Sequence, residues 1–207
     1  MNDQLSLFPP PPGRGPTRPP QTRIASQART HKVFFALQPT VPEVLRIAAL
    51  ASSLDRRLRV GGNPLAPDRL HVTLRLMVEY GDVFPAADIE RWMVAAASVR
   101  MAPFEVVFDR VATFGGDGRP LVLKAATESA VAAVRALDHA IGVARAGIGE
   151  RVRPRDFEPH MTVSYHGAQM TETAIEPIRW AARDFVLIDS HQGEHIHEVL
   201  GRWPLIP

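Results

Sequence analysis

The feature that most constrains the fold is a tetrapeptide of histidine, any residue, threonine and a hydrophobic residue, which occurs twice. The copies are HVTL at residues 71–74 and HMTV at residues 160–163. Apolar and polar residues alternate around each copy, which is typical of a β-strand with one buried face. Because positions i and i+2 of a strand point the same way, each copy presents an imidazole and a hydroxyl on one face. The chain is therefore predicted to contain two similar strands from distant parts of the sequence.

The surrounding periodicity predicts an α+β order with two similar halves, each containing a helix and one of these strands. Thr40 and Glu43 have the spacing of a capping box, so a helix is expected to follow Thr40. Two further helices are predicted at 85–101 and 128–149. Strands are predicted at 31–37, 70–77, 104–114, 121–127, 157–165, 185–190 and 197–205.

The first part of the chain differs from the rest. Residues 1–30 contain PPPPGRGPTRPP, which has no periodic pattern and too little apolar surface to offset the entropy of ordering. We therefore expect a disordered tail over 1–30 and one folded domain over 31–207.

Composition excludes several classes of protein. The chain has no cysteine, which rules out disulfides and thiolate metal sites and fits a reducing compartment. No apolar run is long enough to span a membrane, and the N-terminus lacks the order of a secretory signal. A net charge of +2 argues against sequence-blind duplex binding. We expect a cytoplasmic monomer with no membrane partner.

Two imidazoles and two hydroxyls facing one cleft suit phosphoryl transfer. Imidazole titrates near neutral pH, so one ring can be neutral while the other is protonated. The neutral ring can deprotonate a water while the charged ring protonates the departing alkoxide. The hydroxyls of Thr73 and Thr162 can donate hydrogen bonds to the non-bridging oxygens, where charge accumulates. A strained 2′,3′-cyclic phosphate fits this arrangement. The catalytic candidates are therefore His71, His160, Thr73 and Thr162.

These motifs and their flanks resemble the 2H phosphoesterase superfamily, in particular the LigT-like RNA 2′,3′-cyclic phosphodiesterases, also called 2′-5′ RNA ligases. The resemblance covers most of residues 32–205. It is carried by the segments VFFAL, DRLHVTLRLM, GRPLVLKA and RDFEPHMTV. It implies a bilobal fold of two pseudo-symmetric lobes of antiparallel sheet, with helices outside and a central cleft. Because the two imidazoles and two hydroxyls suffice for this chemistry, no cofactor or metal is expected.

The resemblance further implies a role for each residue. His71 would be the proton donor, His160 the proton acceptor, and the two threonines would hold the phosphate of an RNA 3′ end or nucleotide. The product would be a 2′-phosphomonoester, and 2′-5′ ligation would be the same site run backwards. Arg155, Phe34 and Tyr165 are the candidate substrate-binding residues. Many relatives carry an arginine where this chain has Tyr165, so the way the nucleotide is held is expected to differ.

Other interpretations of the sequence remain open at this point. Each histidine is also compatible with a structural role on a half-buried strand. The domain is compatible with a nucleotide- or RNA-binding module that has lost catalysis, or with a phosphodiesterase for another small cyclic phosphate. The three histidines of HQGEHIH, residues 191–197, are expected in a surface loop, and no metal is assigned to them.

The tail carries one further short motif. Gln4, Leu5, Ser6, Leu7 and Phe8 resemble the peptide by which bacterial DNA-handling proteins dock onto the sliding clamp. A disordered terminus can fold into a groove on binding, so the sliding clamp is a candidate partner.

Overall fold

The computed structural model describes residues 30–59, 61–115, 118–153 and 155–207. The predicted tail and its peptide at residues 4–8 therefore lie outside the described residues, apart from Thr30. The helices are α1 (Val41–Leu58), α2 (Ala86–Ala97) and α3 (Glu128–Gly147). The strands are β1 (His31–Leu37), β2 (Asn63–Pro64), β3 (Val72–Tyr80), β4 (Phe104–Thr113), β5 (Leu121–Lys124), β6 (His160–Tyr165), β7 (Thr173–Ala182), β8 (Asp184–His191) and β9 (Ile196–Pro204).

The strands form one antiparallel sheet in two halves. Their order is β7-β4-β5-β6-β3-β1-β8-β9, and the short strand β2 pairs with β6 outside this order. In this sheet order, one lobe contains β7, β4, β5 and β6, and the other contains β3, β1, β8 and β9. The lobes are joined between β3 and β6, where Val72 pairs with Met161. The predicted α+β class and the bilobal antiparallel sheet are confirmed.

All three helices pack on one face of the sheet. Ile47 of α1, Trp92 of α2 and Leu137 of α3 belong to a single core that also contains Phe35 of β1. Phe34, the preceding residue, belongs to a separate small cluster on the opposite face. Because side chains alternate along a strand, the face away from the helices is left to carry a site.

The start of α1 follows the predicted capping interaction. The backbone N–H of Thr40 donates to Glu43 Oε2 over 2.9 Å, and the Thr40 hydroxyl donates to the same oxygen over 3.0 Å. This carboxylate therefore satisfies a backbone donor that the first turn of a helix leaves unpaired.

Two strands of the structure, β2 and β7, were not predicted from the sequence. The strand β7 contains Pro177, which removes a ladder donor and normally argues against a strand. It lies at the edge of the sheet, where one side of the backbone needs no partner, so the proline is tolerated. The strand β2 has two residues and is too short to show a period.

Among the described residues, no helix combines the length and apolar character that crossing a membrane requires.

Candidate active site

The two tetrapeptides meet at the junction of the lobes. Because β3 and β6 are antiparallel and Val72 pairs with Met161, His71 lies opposite Thr162, and Thr73 lies opposite His160. All four side chains line one cleft of about 250 Å³. The prediction that two distant strands bring the imidazoles and hydroxyls together therefore agrees with the geometry.

Each imidazole is oriented by the same backbone contact. His71 Nδ1 lies 2.7 Å from the carbonyl oxygen of Arg69, and His160 Nδ1 lies 2.7 Å from that of Glu158. A carbonyl only accepts, so both Nδ1 atoms carry the proton and donate it. In the neutral ring this leaves Nε2 as the basic nitrogen. Nε2 of His71 lies 3.1 Å from the hydroxyl oxygen of Thr73.

An aromatic ring packs against each histidine. The rings of Phe34 and His71 are stacked, with centroids 5.0 Å apart and planes inclined by 26°. The ring of Phe114 meets His160 edge-on at 4.8 Å. The two lobes thus supply the same surroundings twice: a strand histidine, a carbonyl two residues earlier and a phenylalanine.

The proton affinity of His71 is strongly perturbed. Burial lowers the pKa of His71 from 6.5 to about 4, against the opposing effect of the hydrogen bond to the Arg69 carbonyl. The charges of Arg69 and His160 lower it further. In the free protein at neutral pH this ring is therefore neutral.

The cleft also contains side chains that sequence reasoning missed. Arg69 adds positive charge, and Lys32 adds an ammonium group that is ion-paired with Glu79 over 2.9 Å. Ser190, Gln192 and His197 complete the wall with Leu65. Lys32 and Phe34 are two residues apart on β1 and therefore share a face. The period-two pattern of this strand thus indicated that Lys32 lies on the same side as Phe34. Arg69 precedes His71 by two residues, so its place beside the first motif was also visible in the sequence. The remaining residues reach the cleft through strand order, which a single sequence does not reveal.

The chain matches the model of one known protein family. The model of the 2′-5′ RNA ligase superfamily matches residues 42–194. The chain belongs to this superfamily. No curated protein sequence matches the chain.

Solved structures of similar proteins share the fold. Apo LigT of E. coli superposes with a TM-score of 0.66 at 20% identity, covering 87% of this chain and all (100%) of that one. LigT complexed with 3′-AMP gives 0.65 at 20% identity, over 86% and 99% of the two chains. TT0787 of Thermus thermophilus gives 0.64 at 20% identity, over 84% and 97%. At this identity the likeness establishes the fold alone.

The three predicted substrate-binding residues of this 2H phosphoesterase are placed differently. Phe34 and Tyr165 line the cleft. Arg155 lines a different cavity, where it stacks on Phe157 at 4.4 Å and donates to the carbonyl oxygen of Leu74. The structure therefore does not bring Arg155 to the histidines, and its contacts stabilise the fold behind them.

The histidines of residues 191–197 do not converge on one point. His195 lies in the exposed turn, as predicted, and accepts a hydrogen bond from Arg69 Nη1 over 3.0 Å. His197 lies in β9, and its ring meets His71 edge-on at 5.1 Å. His191 is the last residue of β8, so the prediction of a surface loop is wrong for both residues. Burial, followed by the charges of His71 and Arg69, lowers the pKa of His197 to about 3. This third cleft imidazole is therefore neutral.

The arrangement can bind an anion and move two protons. Arg69 supplies positive charge, the threonines supply hydroxyl donors, and the two oriented imidazoles supply an acid–base pair.

Proposed function

We propose that this protein hydrolyses 2′,3′-cyclic phosphate ends of RNA or oligonucleotides to 2′-phosphomonoesters, without metal or ATP. The superfamily and fold support a phosphodiesterase. The cleft supports the finer assignment, and the observation that carries it is the paired orientation of His71 and His160. Both rings donate Nδ1–H to a carbonyl two residues earlier and leave Nε2 to the substrate.

The reaction balances with these two groups. His160 Nε2 accepts a proton from a water whose oxygen attacks phosphorus, and the bond from phosphorus to the ribose 3′ oxygen breaks. The departing 3′ oxygen takes the proton carried by His71 Nε2. Thr73 and Thr162 donate hydrogen bonds to the non-bridging oxygens as negative charge grows on them. With the 5′ hydroxyl of a second RNA in place of the water, the same steps join that oxygen to phosphorus while the bond to the ribose 3′ oxygen breaks, which gives a 2′-5′ linkage.

The low pKa of His71 couples its protonation to substrate binding. A phosphodiester carries a negative charge, and placing it beside the ring favours the imidazolium form. His71 is therefore neutral in the free protein and becomes the acid when the anion enters. This coupling links the proton-donor role to the substrate itself.

The wall of the cleft supports a nucleotide substrate. LigT of E. coli has been solved in complex with 3′-AMP and with ATP, so a relative with this fold accepts nucleotides. In the present chain Tyr165 lies at the cleft and is 38% exposed. Its ring is available to stack on a base, which is the usual way in which unpaired nucleotides are held. We propose that the side chains of Tyr165 and Phe34 contact the nucleoside part of the substrate.

The test is a substrate screen with product analysis. The purified full chain is incubated, in excess chelator, with nucleoside 2′,3′-cyclic phosphates and with a cyclic-phosphate-ended oligonucleotide. Phosphorus NMR then identifies which ribose oxygen keeps the phosphate. We expect turnover and a 2′-phosphomonoester.

Other outcomes of the screen would reject parts of the proposal. A 3′-phosphomonoester would reverse the assigned direction of ring opening. Complete loss of activity in chelator would reject the two-histidine mechanism. Binding of 2′-AMP with no hydrolysis of any cyclic phosphate would favour a non-catalytic nucleotide-binding module.

A further inference from the structure

A second cluster of histidines lies on the other face of the sheet. His31 of β1 pairs with His191 of β8, and Asp189 precedes His191 by two residues on the same strand. One ligand atom from each of these three residues lies within 4.8 Å of the others. Ser190, between Asp189 and His191, lines the catalytic cleft. Because neighbouring residues of a strand point to opposite faces, the cluster is separated from the cleft by the sheet.

The distances in this cluster suit a shared ion. His31 Nδ1 lies 3.1 Å from Asp189 Oδ2, and His191 Nε2 lies 3.6 Å from the same oxygen. An ion bound at about 2.0–2.2 Å holds two tetrahedral ligands ~3.3 Å apart. The observed separations therefore need only small side-chain adjustments to accept one.

The hydrogen bonding of the His191 ring indicates that a ligand binds beside it. Its Nε2 atom is buried and has no hydrogen-bond partner among the described residues. The atom faces Asp189, which is 3% exposed, and lies 3.7 Å from Glu198 Oε2. A buried polar nitrogen without a partner is costly, and a bound cation would satisfy it.

The surroundings supply the outer contacts that metal sites use. The Tyr80 hydroxyl donates to Asp189 Oδ2. Such a hydrogen bond fixes the orientation of a ligating carboxylate. His191 Nδ1 lies 3.7 Å from Glu194 Oε2, so a carboxylate also faces the outer nitrogen of this ring.

We propose that His31, Asp189 and His191 form a binding site for one divalent transition-metal ion of the zinc type. Two imidazoles and one carboxylate select zinc, cobalt or nickel over magnesium and calcium, which prefer all-oxygen sites. Glu198 or water completes the coordination. The residues differ from the 191–197 set considered in the sequence, since only His191 is common to both. The site lies outside the catalytic cleft and takes no part in the proposed hydrolysis.

The test measures zinc binding by the untagged full chain after chelator treatment. Competition with a chromophoric chelator should give one zinc ion per chain, and Co²⁺ should produce visible absorption bands of low-symmetry coordination. Asp189→Asn and His191→Ala should each weaken zinc affinity at least about 100-fold, because even changes to outer contacts cost ~10–100-fold. Tyr80→Phe removes the hydrogen bond to Asp189 and the contact of the same hydroxyl with His31 Nδ1 at 3.1 Å, and it should weaken affinity about 10-fold.

Matched variants separate this site from the other histidines. His139→Ala removes an exposed imidazole on α3 and should bind zinc as the wild type does. His71→Asn should also keep the zinc affinity of the wild type. If this variant loses zinc affinity, the ion belongs to the catalytic cleft and the proposal is wrong. Wild-type protein that takes up no stoichiometric zinc, or a His191→Ala variant that binds it equally well, would equally overturn the proposal. Zinc should raise the melting temperature of the wild type and of His139→Ala, which reports binding without any measurement of activity.

Discussion

Anion binding in the cleft should depend on pH through His71. Sulfate is a suitable probe because it is tetrahedral and stays a dianion between pH 5.5 and 8, so its own charge does not change. The free ring has its pKa lowered from 6.5 to about 4 by burial. A bound dianion favours the imidazolium and should return this pKa at least to the ordinary value. Binding then takes up a proton, so sulfate affinity should rise as the pH falls through 6.5 and should level off below 4.

The expected size follows from proton linkage. Protonation of His71 raises the association constant for sulfate above its high-pH value. The factor at any pH is the ratio of (1 + 10^(pKa − pH)) for the bound protein to the same expression for the free protein. With bound and free pKa values of 6.5 and about 4, sulfate should bind about 10-fold more tightly at pH 5.5 than at pH 8. That factor corresponds to about 1.4 kcal/mol.

Isothermal titration calorimetry at both pH values measures the effect. Other histidines also gain charge as the pH falls, so His71→Asn is titrated in parallel and its pH ratio is taken as the background. NMR titration of the His71 ring with and without sulfate reports the two pKa values directly. An equal pH ratio in wild type and His71→Asn would refute the linkage, as would a free His71 pKa near 6.5.

Three further predictions concern stability, phosphate contact and the tail. Arg75 and Asp138 form a buried ion pair at 2.7 Å, so Arg75→Met should lower the free energy of unfolding in urea by about 3 kcal/mol. Arg179 forms an exposed pair, and Arg179→Met should lower this free energy by less than about 1 kcal/mol, so equal losses in the two variants would contradict the prediction. Thr162→Val should lower kcat on a cyclic phosphate about 100-fold and Thr162→Ser should restore most of it, while an unimpaired Thr162→Val would exclude a phosphate contact. A peptide of residues 1–12 should bind purified sliding clamp, and undetectable binding at high micromolar concentration would reject that partner.

The local features of the fold were predictable from the sequence because short-range rules decide them. The capping contact of Thr40 and Glu43 and the bounds of β1 follow from spacing alone. The strands that carry His71 and His160 were placed by alternation, although β3 begins one residue after His71 and β6 begins at His160 itself. Strand ends depend on pairing partners and are therefore less well determined by the local sequence.

The remaining parts of the site depend on strand order. His197 reaches the cleft because β9 lies beside it, and this residue has no sequence motif of its own. The contact of His31 with Asp189 likewise joins residues 158 positions apart. Arg155 shows the opposite case. It lies close to His160 in sequence, yet its side chain turns to the carbonyl of Leu74 behind the cleft.

The most direct measurement of the central claim is the turnover of a nucleoside 2′,3′-cyclic phosphate by His71→Ala and by His160→Ala. His139→Ala serves as the control, since this histidine is exposed on α3, and circular dichroism checks that each variant is folded. Because acid and base act in the same transition state, either cleft variant should lose activity about 1,000-fold or more while the control keeps it. A folded variant lacking either cleft imidazole that still turns over substrate within about 10-fold of the wild type would contradict the two-histidine mechanism.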